Sequence, residues 1–421
     1  MMTKRLRPIA AEATGMAIMG QMQYDPWHAA LLDLLHLIQR AQGDEVAASV
    51  SAALRPLGLE ITCYLVDEEQ VHLHPLPEPG KPLPEPLGVD GTLPGRAFTT
   101  VNTHHATAPG GAARLWVPLI DGTERLGVAD LVIHREDCDV AALQEWCESY
   151  VNLVGHLIAV KMPYGDSLNR VRRTRRMSVA GELLLASLPP QTFTTDRLVI
   201  SAILQPHYDV GGDAFDYALD DSSAWFAVLD GMGRGLSASL LTTVTLAALR
   251  AARRAGFGLY AAAREAERTL MQQFGDKSFV TAVLCELDLD SGRMRYVNAG
   301  HPFPLLLRRH QAVRELTGGR RLPFGLSGGE PVPGEEVLEP GDRLLLYTDG
   351  VVEARNTAGE VFGVERLVDF TERAAQADTP APETLRGLAH RVAAFQQGPP
   401  RDDATLMLLE WSAEAARRAR L

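Results

Sequence analysis

The chain has 421 residues, 46% of them hydrophobic, and 53 acidic side chains against 41 basic ones leave a formal charge of −12. At roughly 100–200 residues per domain, this length predicts two or three domains with ordinary apolar cores. The acidic balance argues against nucleic acid, whose binders carry a clustered basic footprint.

Cys63, Cys138, Cys147 and Cys285 include no pair at metal-ligand spacing, so they read as free thiols of a reducing compartment. No run reaches the roughly 18 apolar residues a membrane span needs. The weakly apolar stretch 16–22 is too short and too interrupted for a signal sequence. The expectation is a soluble cytoplasmic protein.

Residues 1–25 lack periodicity and read as a loose tail. From Pro26, the apolar positions Trp27, Leu31, Leu34, Leu35 and Ile38 recur at helical spacing. Residues 59–66 (LEITCYLV) have the β-branched and aromatic content of a strand. Prolines 75, 77, 79, 82, 84, 86 and 94 predict a long exposed loop over 75–94, because proline removes a donor and fixes φ. Strands follow at 114–120 and 126–133, joined by Asp121-Gly122, a hairpin signal, and then a helix over 139–161.

This block, residues 26–162, resembles a GAF domain on the segments 91–99 (GTLPGRAFT), 115–120 (LWVPLI) and 126–133 (LGVADLVI). The resemblance implies a small α+β sensory module with a pocket for a small-molecule ligand over its sheet. His72, His74, His104 and His105 are candidates for a metal or haem ligand set, against the plainer reading of solvated loop histidines.

Pro163 and Gly165 interrupt the chain. Residues 163–190 read as a helical linker ended by Pro189-Pro190, with Arg170, Arg172, Arg173, Arg175 and Arg176 on a solvated face rather than a nucleic-acid patch. Its apolar positions Leu168, Val171, Val179, Leu183 and Leu184 are too irregular for a coiled coil. Pairing of the linker across a homodimer is expected.

Beyond 191, four acidic sites recur next to strands. Asp213 lies in VGGDAFD (210–216), and Asp230 closes an apolar run before DGMGRG (230–235). Asp349 closes RLLLYTDG (343–350), and Asp402-Asp403 precede ATLMLLEW (404–411). Each places a carboxylate at a strand end, where a sandwich can gather them at one edge. Clustered carboxylates repel unless a cation neutralises them. Oxygen donors of this kind suit Mg²⁺ or Mn²⁺. Two such ions about 3.5–4 Å apart acidify a bridging water and clamp an in-line phosphoryl displacement. The glycine loop 231–235 lacks the lysine of a Walker loop and the spacing of a dinucleotide fold.

In this order, with FVTAV (279–283), YVNAGHP (296–302), LPFGL (322–326) and DDAT (402–405), residues 191–412 resemble the metal-dependent PPM phosphatases. These are the protein-phosphatase-2C-like enzymes, here in their SpoIIE/RsbU branch. The resemblance implies an α+β chain with a C-terminal α-β-β-α sandwich, residues 413–421 forming a tail. It implies two Mn²⁺ or Mg²⁺ ions, with Asp230 bridging both, the Gly231 carbonyl as a further ligand and Asp213 serving the second ion. Asp349 and Asp402 serve the first, and Asp403 is left open as a sharer of that task.

The activity so implied is hydrolysis of a phosphoserine on a regulatory phosphoprotein, of the anti-sigma-factor antagonist type, under control of the GAF-like domain. Asp230 and Asp349 are the residues on which catalysis would rest. His301 is read as a turn residue in preference to a general acid, and Arg234 as either a phosphate contact or a solvated helix-start residue. A non-catalytic scaffold and a nucleotide phosphodiesterase are the other readings.

Overall fold

The computed structural model describes residues 25–134, 139–205, 208, 211–326, 334–397 and 402–418. The expected tail at 1–24 and Cys138 lie outside the described residues.

The N-terminal part begins with helices α1 (Pro26–Arg40) and α2 (Val46–Leu54). The Asp25 carboxylate accepts from Trp27 N at α1's first turn, and the buried face is Ala30, Leu34 and Ile38, with Leu35 turned outward. Strands β1 (Leu59–Val66), β2 (His72–Pro75) and β3 (Leu87–Gly88), helix α3 (Leu93–Thr100), strands β4 (His104–Thr107), β5 (Ala113–Asp121) and β6 (Glu124–Ile133), and helix α4 (Val140–Lys161) follow. The strands form one antiparallel sheet in the order β3-β2-β1-β6-β5-β4. Asp121 pairs with Glu124 across the β5–β6 turn, where Gly122 takes φ +60°.

One sheet face packs Ile61, Leu65, Val117 and Leu131 against α1, α2 and α4. The other buries Tyr64, Trp116 and Val128 against Phe98 of α3.

The proline-rich segment is not loop throughout, as its composition predicts. Pro75 ends β2, and Pro94 sits in the first turn of α3, where its missing N–H would be unpaired anyway. Thr92 Oγ1 caps that helix by accepting from Gly95 N at 3.0 Å.

The linker also departs from expectation. It is two short helices, α5 (Ser167–Arg172) and α6 (Val179–Leu185), with non-helical residues between them. Three of its five arginines reach different acids rather than sharing one solvated face. Arg172 donates to Val66 O and Glu68, Arg173 grips Glu182 with two nitrogens, and Arg175 pairs with Glu69 while lying over the Tyr208 ring.

The C-terminal part runs through β7 (Thr192–Thr194), β8 (Leu198–Gln205), β9 (Asp213–Leu219), β10 (Ser223–Gly231), α7 (Leu236–Arg254) and α8 (Leu259–Phe274). It continues with β11 (Val280–Asp288), β12 (Arg293–Ala299), β13 (Leu305–Arg308), β14 (Gln311–Glu315), β15 (Arg320–Arg321), β16 (Gly334–Val337) and β17 (Asp342–Tyr347). Last come α9 (Asp349–Val352), α10 (Gly363–Gln376), α11 (Ala381–Gln396), β18 (Ala404–Trp411) and α12 (Ala413–Arg418). Residues 413–418 are therefore helix rather than tail, held by the burial of Ala415 and Ala416.

One sheet has the order β15-β12-β11-β10-β9 with β16 on β12, and the other the order β14-β13-β17-β18-β8-β7. Side chains alternate between two apolar layers, as the period of two demands. Met407 and Leu409 face the core between the sheets, while Leu406 and Leu408 face α10 and α11. Phe226 and Val228 face the inter-sheet core, while Ala227 and Leu229 face α7 and α8. The result is the α-β-β-α layering expected of an α+β chain.

The two parts meet through polar contacts. Arg386 donates to Gln70 O, Glu383 and Asp90, and Arg125 reaches Glu383 and Gln70 Oε1. His390 Nε2 lies 2.9 Å from Glu69 O, and Thr192 N donates to Glu124. Among the described residues, no helix is long and apolar enough to cross a membrane.

Candidate active site

Four chain segments deliver carboxylates to one edge of the sandwich. Asp213 opens β9 directly opposite Asp230 at the end of β10. In the second sheet, β17 and β18 run side by side, with Tyr347 opposite Leu406. Asp349, two residues beyond Tyr347, and Asp402-Asp403, just before β18, therefore leave the sheet at the same end.

Small residues make this approach feasible. A side chain at Gly350 would collide with the Asp403 carbonyl, and one at Gly212 with the Gly231 carbonyl. The loop after Asp230 turns sharply, with Gly233 at φ +98° and Gly235 at φ +65°, a region that favours glycine.

Burial and mutual repulsion raise the acids. Asp213, 2% exposed, is held well above the usual carboxylate range by desolvation, then by Asp230 and Asp403. Desolvation, followed by Asp349, Asp402 and Asp403, lifts Asp230 to about 7. Asp349 opens to solvent on one side, yet desolvation on the other, with Glu353 and Asp402 beside it, also raises it. Asp403 rises to about 6 through burial and Asp402, against the opposing effect of three backbone N–H groups.

Among the described residues, Arg234 is a basic group facing the cluster, mostly exposed, its guanidinium 3.7 Å from Asp402. Such crowding of carboxylates, with no buried counter-charge among the described residues, fits hard divalent cations, which take oxygen donors. The acids line an edge rather than converge on one point. Among the described residues, the triad whose ligand atoms all lie within 4.8 Å of one another is a different one, Asp67, His72 and His74.

Asp402 and Asp403, indistinguishable in sequence, occupy different settings. Asp402 is exposed toward Arg234. Asp403 is buried, and its Oδ2 accepts from Gly211 N at 2.5 Å, Gly212 N at 2.7 Å and Asp213 N at 3.3 Å. Residues 211–213 are thus pinned to the start of β18.

His301 is buried, its Nδ1 2.8 Å from Thr281 Oγ1, and desolvation lowers it to about 3. Burial thus favours the neutral ring, which keeps one N–H for hydrogen bonding but lacks the acidic imidazolium proton a general acid would give up.

Sequence reasoning missed three hydroxyls. Thr348 Oγ1 donates to Asp213 Oδ2 at 2.6 Å and accepts from Thr405 N at 2.9 Å. Ser239 and Thr242 of α7 donate to the carbonyls of Gly211 and Gly212. The signal for Thr348 was its place next to Asp349; nothing local marked the other two.

The histidines do not form one set. His72 and His74 lie on β2 and His104 and His105 on β4, with β1, β6 and β5 between those strands. All four are on strands rather than in loops.

A two-sheet sandwich between helix layers, with acids gathered at one edge, defines the protein-phosphatase-2C-like (PPM) class. Residues 220–412 match the family model for Stage II sporulation protein E (SpoIIE), so this part of the chain is similar to SpoIIE-type PP2C-like phosphatase domains. Phosphoserine phosphatase RsbP of Bacillus subtilis is 26% identical over 190 residues, covering 44% of this chain and 47% of the relative. The chain thus spans about half the length of that protein. Phosphoserine phosphatase RsbU of the same organism is 23% identical over 274 residues, covering 62% of this chain and 80% of the relative. The solved SiaA-PP2C domain of Pseudomonas aeruginosa aligns at 23% identity over 60% of this chain and 99% of that one, with a TM-score of 0.48.

Proposed function

We propose that this protein is a divalent-metal-dependent protein serine phosphatase. The observation that carries the reading is the crowded acid edge formed by Asp213, Asp230, Asp349 and Asp402, where burial and mutual repulsion raise Asp213, Asp230 and Asp349. These four, with the Gly231 carbonyl, would hold two Mn²⁺ or Mg²⁺ ions. Bound there, the ions would supply Lewis acidity toward phosphoryl oxygens and lower the pKa of water at the site.

The chain's own residues have separable tasks. Asp230 and Asp349 hold opposite sides of the edge. Asp403 acts as a positioning residue, since its inward oxygen is committed to three amides. Arg234, exposed at the mouth and free to meet a phosphate bidentately, would receive the substrate's phosphoryl oxygens. No side chain need serve as nucleophile.

The substrate class is a phosphoserine on a small regulatory protein of the anti-sigma-factor antagonist type. Two relatives called phosphoserine phosphatases support the phosphoserine part of this reading. Residues 26–162 act as a GAF-like sensory unit in a cytoplasmic protein. The polar docking of Arg386, Arg125 and His390 supports control through that contact. The cavity between α2, β1 and the proline segment holds only about 50 Å³, so a small-molecule ligand would require that segment to open.

Purified protein should release phosphate from an aryl phosphate and from a phosphoserine peptide with Mn²⁺, and lose this with chelator. Equal turnover by Asp230→Ala would refute the reading. Preference for a cyclic dinucleotide over the phosphopeptide would make it a phosphodiesterase instead.

A further inference from the structure

The turn between β1 and β2 carries two imidazoles and a carboxylate brought together by strand geometry. Asp67 follows the last residue of β1, and its N–H donates to His72 O at the start of β2. The period of two then places His72 and His74 on one face of β2. Asp67 is 1% exposed, and its carboxylate accepts from Val71 N at Oδ1 (2.8 Å) and from His72 N at Oδ2 (3.0 Å). The same Oδ2 lies 3.5 Å from His72 Nδ1 and 3.7 Å from His74 Nε2. That last separation is too long for a hydrogen bond, and His74 Nε2 is a buried ring nitrogen with no hydrogen-bond partner.

We propose that Asp67, His72 and His74 bind one zinc-type divalent transition ion. Bonds of about 2.0–2.2 Å to a tetrahedral ion put ligand atoms roughly 3.4 Å apart, close to the 3.5 and 3.7 Å from Asp67 Oδ2, with all three ligand atoms within 4.8 Å of one another. An ion there gives His74 Nε2 the partner it lacks and neutralises a buried carboxylate. Two nitrogens and one oxygen favour Zn²⁺, Co²⁺ or Ni²⁺ over the Mg²⁺ and Mn²⁺ suited to the all-oxygen edge. His72 is half exposed, which leaves the solvent side for a water ligand.

The site's position gives it a consequence. Glu68, Glu69 and Gln70, the residues between its ligands, make the contacts to Arg172, Arg175, His390, Arg386 and Gln191. Fixing both ends of this turn with an ion stiffens the joint between the sheet, the linker and α11. The proposal does not depend on phosphatase activity.

The test uses tag-free full-length protein, stripped with chelator and titrated with Co²⁺ in excess Mg²⁺. One Co²⁺ per chain should give the visible absorption of a four-coordinate ion, displaced by one equivalent of Zn²⁺. The signal should survive Asp230→Asn and vanish in His74→Gln and in His72→Gln/His74→Gln, with their folds checked by circular dichroism. Zn²⁺ should also slow hydrogen exchange over residues 67–72 in the parent and not in His74→Gln. Absence of the band in the parent, or its persistence in the double variant, overturns the proposal. A parent that shows neither Co²⁺ absorption nor Zn²⁺-dependent exchange would overturn the proposal and leave the cluster as a structural Asp–His contact.

Discussion

The carboxylate of Asp403 accepts the backbone N–H of Gly212 at 2.7 Å, joining two residues 191 positions apart. Gly211 and Asp213 donate to the same oxygen, so one side chain sets where Asp213 stands relative to β18. Hydrogen bonds to a charged acceptor contribute roughly 1.5–3 kcal/mol each, and three sharing one oxygen do not add fully. Asp403→Ala should lower unfolding free energy by about 2–4 kcal/mol and weaken Mn²⁺ binding, seen by denaturant melts and calorimetric titration. Asp403→Asn keeps a carbonyl acceptor and should recover a substantial part of both.

Asp230 pairs with Asp213 across the ladder and is surrounded by acids. Replacing it with a neutral isostere should therefore have opposite effects on stability and function. In chelator, Asp230→Asn should melt at a higher temperature than the parent, because one member of a repelling cluster is gone. With Mn²⁺, its phosphatase turnover should fall by at least about a hundredfold, two factors of ten at 1.36 kcal/mol each. A variant less stable than the parent in chelator would mean that repulsion at this edge is weaker than the favourable contacts Asp230 makes there.

The same cluster predicts how stability follows pH. Asp230 at about 7, Asp403 at about 6 and Asp213 well above its usual range all hold protons more tightly when folded. Between the ordinary carboxylate range and about pH 7, the folded state therefore binds more protons than the unfolded one. Stability of the metal-free protein should fall as pH rises through that window. Saturating Mg²⁺ should flatten the dependence by favouring the ionised acids. Melting temperatures at pH 5, 6, 7 and 8, with and without Mg²⁺, check both halves.

Much of this arrangement was legible in the chain. Strands 59–66, 198–205 and 404–411 appear where their apolar runs placed them. The carboxylates were visible because each closes or precedes such a run. What escaped depends on partners distant in sequence. Asp403 cannot be told from Asp402 until the amides of 211–213 are in place, and Ser239 and Thr242 look like ordinary helix residues until α7 lies beneath the glycines. Arg172 and Arg175 look solvated until the acidic turn at 68–69 meets them. His74 was one of four scattered histidines, and Asp67 drew no attention because the pair assembles only when β2 folds back on β1.

Arg386 offers the sharpest test of how the two parts are joined. It is 5% exposed and holds Glu383, Asp90 and the Gln70 carbonyl at once. Glu383 in turn binds Arg125, 7% exposed, from β6. Removing one partner of a buried pair leaves charge uncompensated and typically costs about 3–5 kcal/mol. Here Asp90 can rehydrate because it is largely exposed, so Arg386→Ala should cost nearer the lower end. The loss falls on the contact between the parts rather than on either core. Calorimetry should therefore resolve the parent's unfolding into two transitions in the variant, with the N-terminal sheet and the sandwich melting separately. Hydrogen exchange should rise at 69–71 and 383–390 while β10 and β18 stay protected. A single transition shifted as a whole would mean that Arg386 serves the core of the sandwich and not the joint.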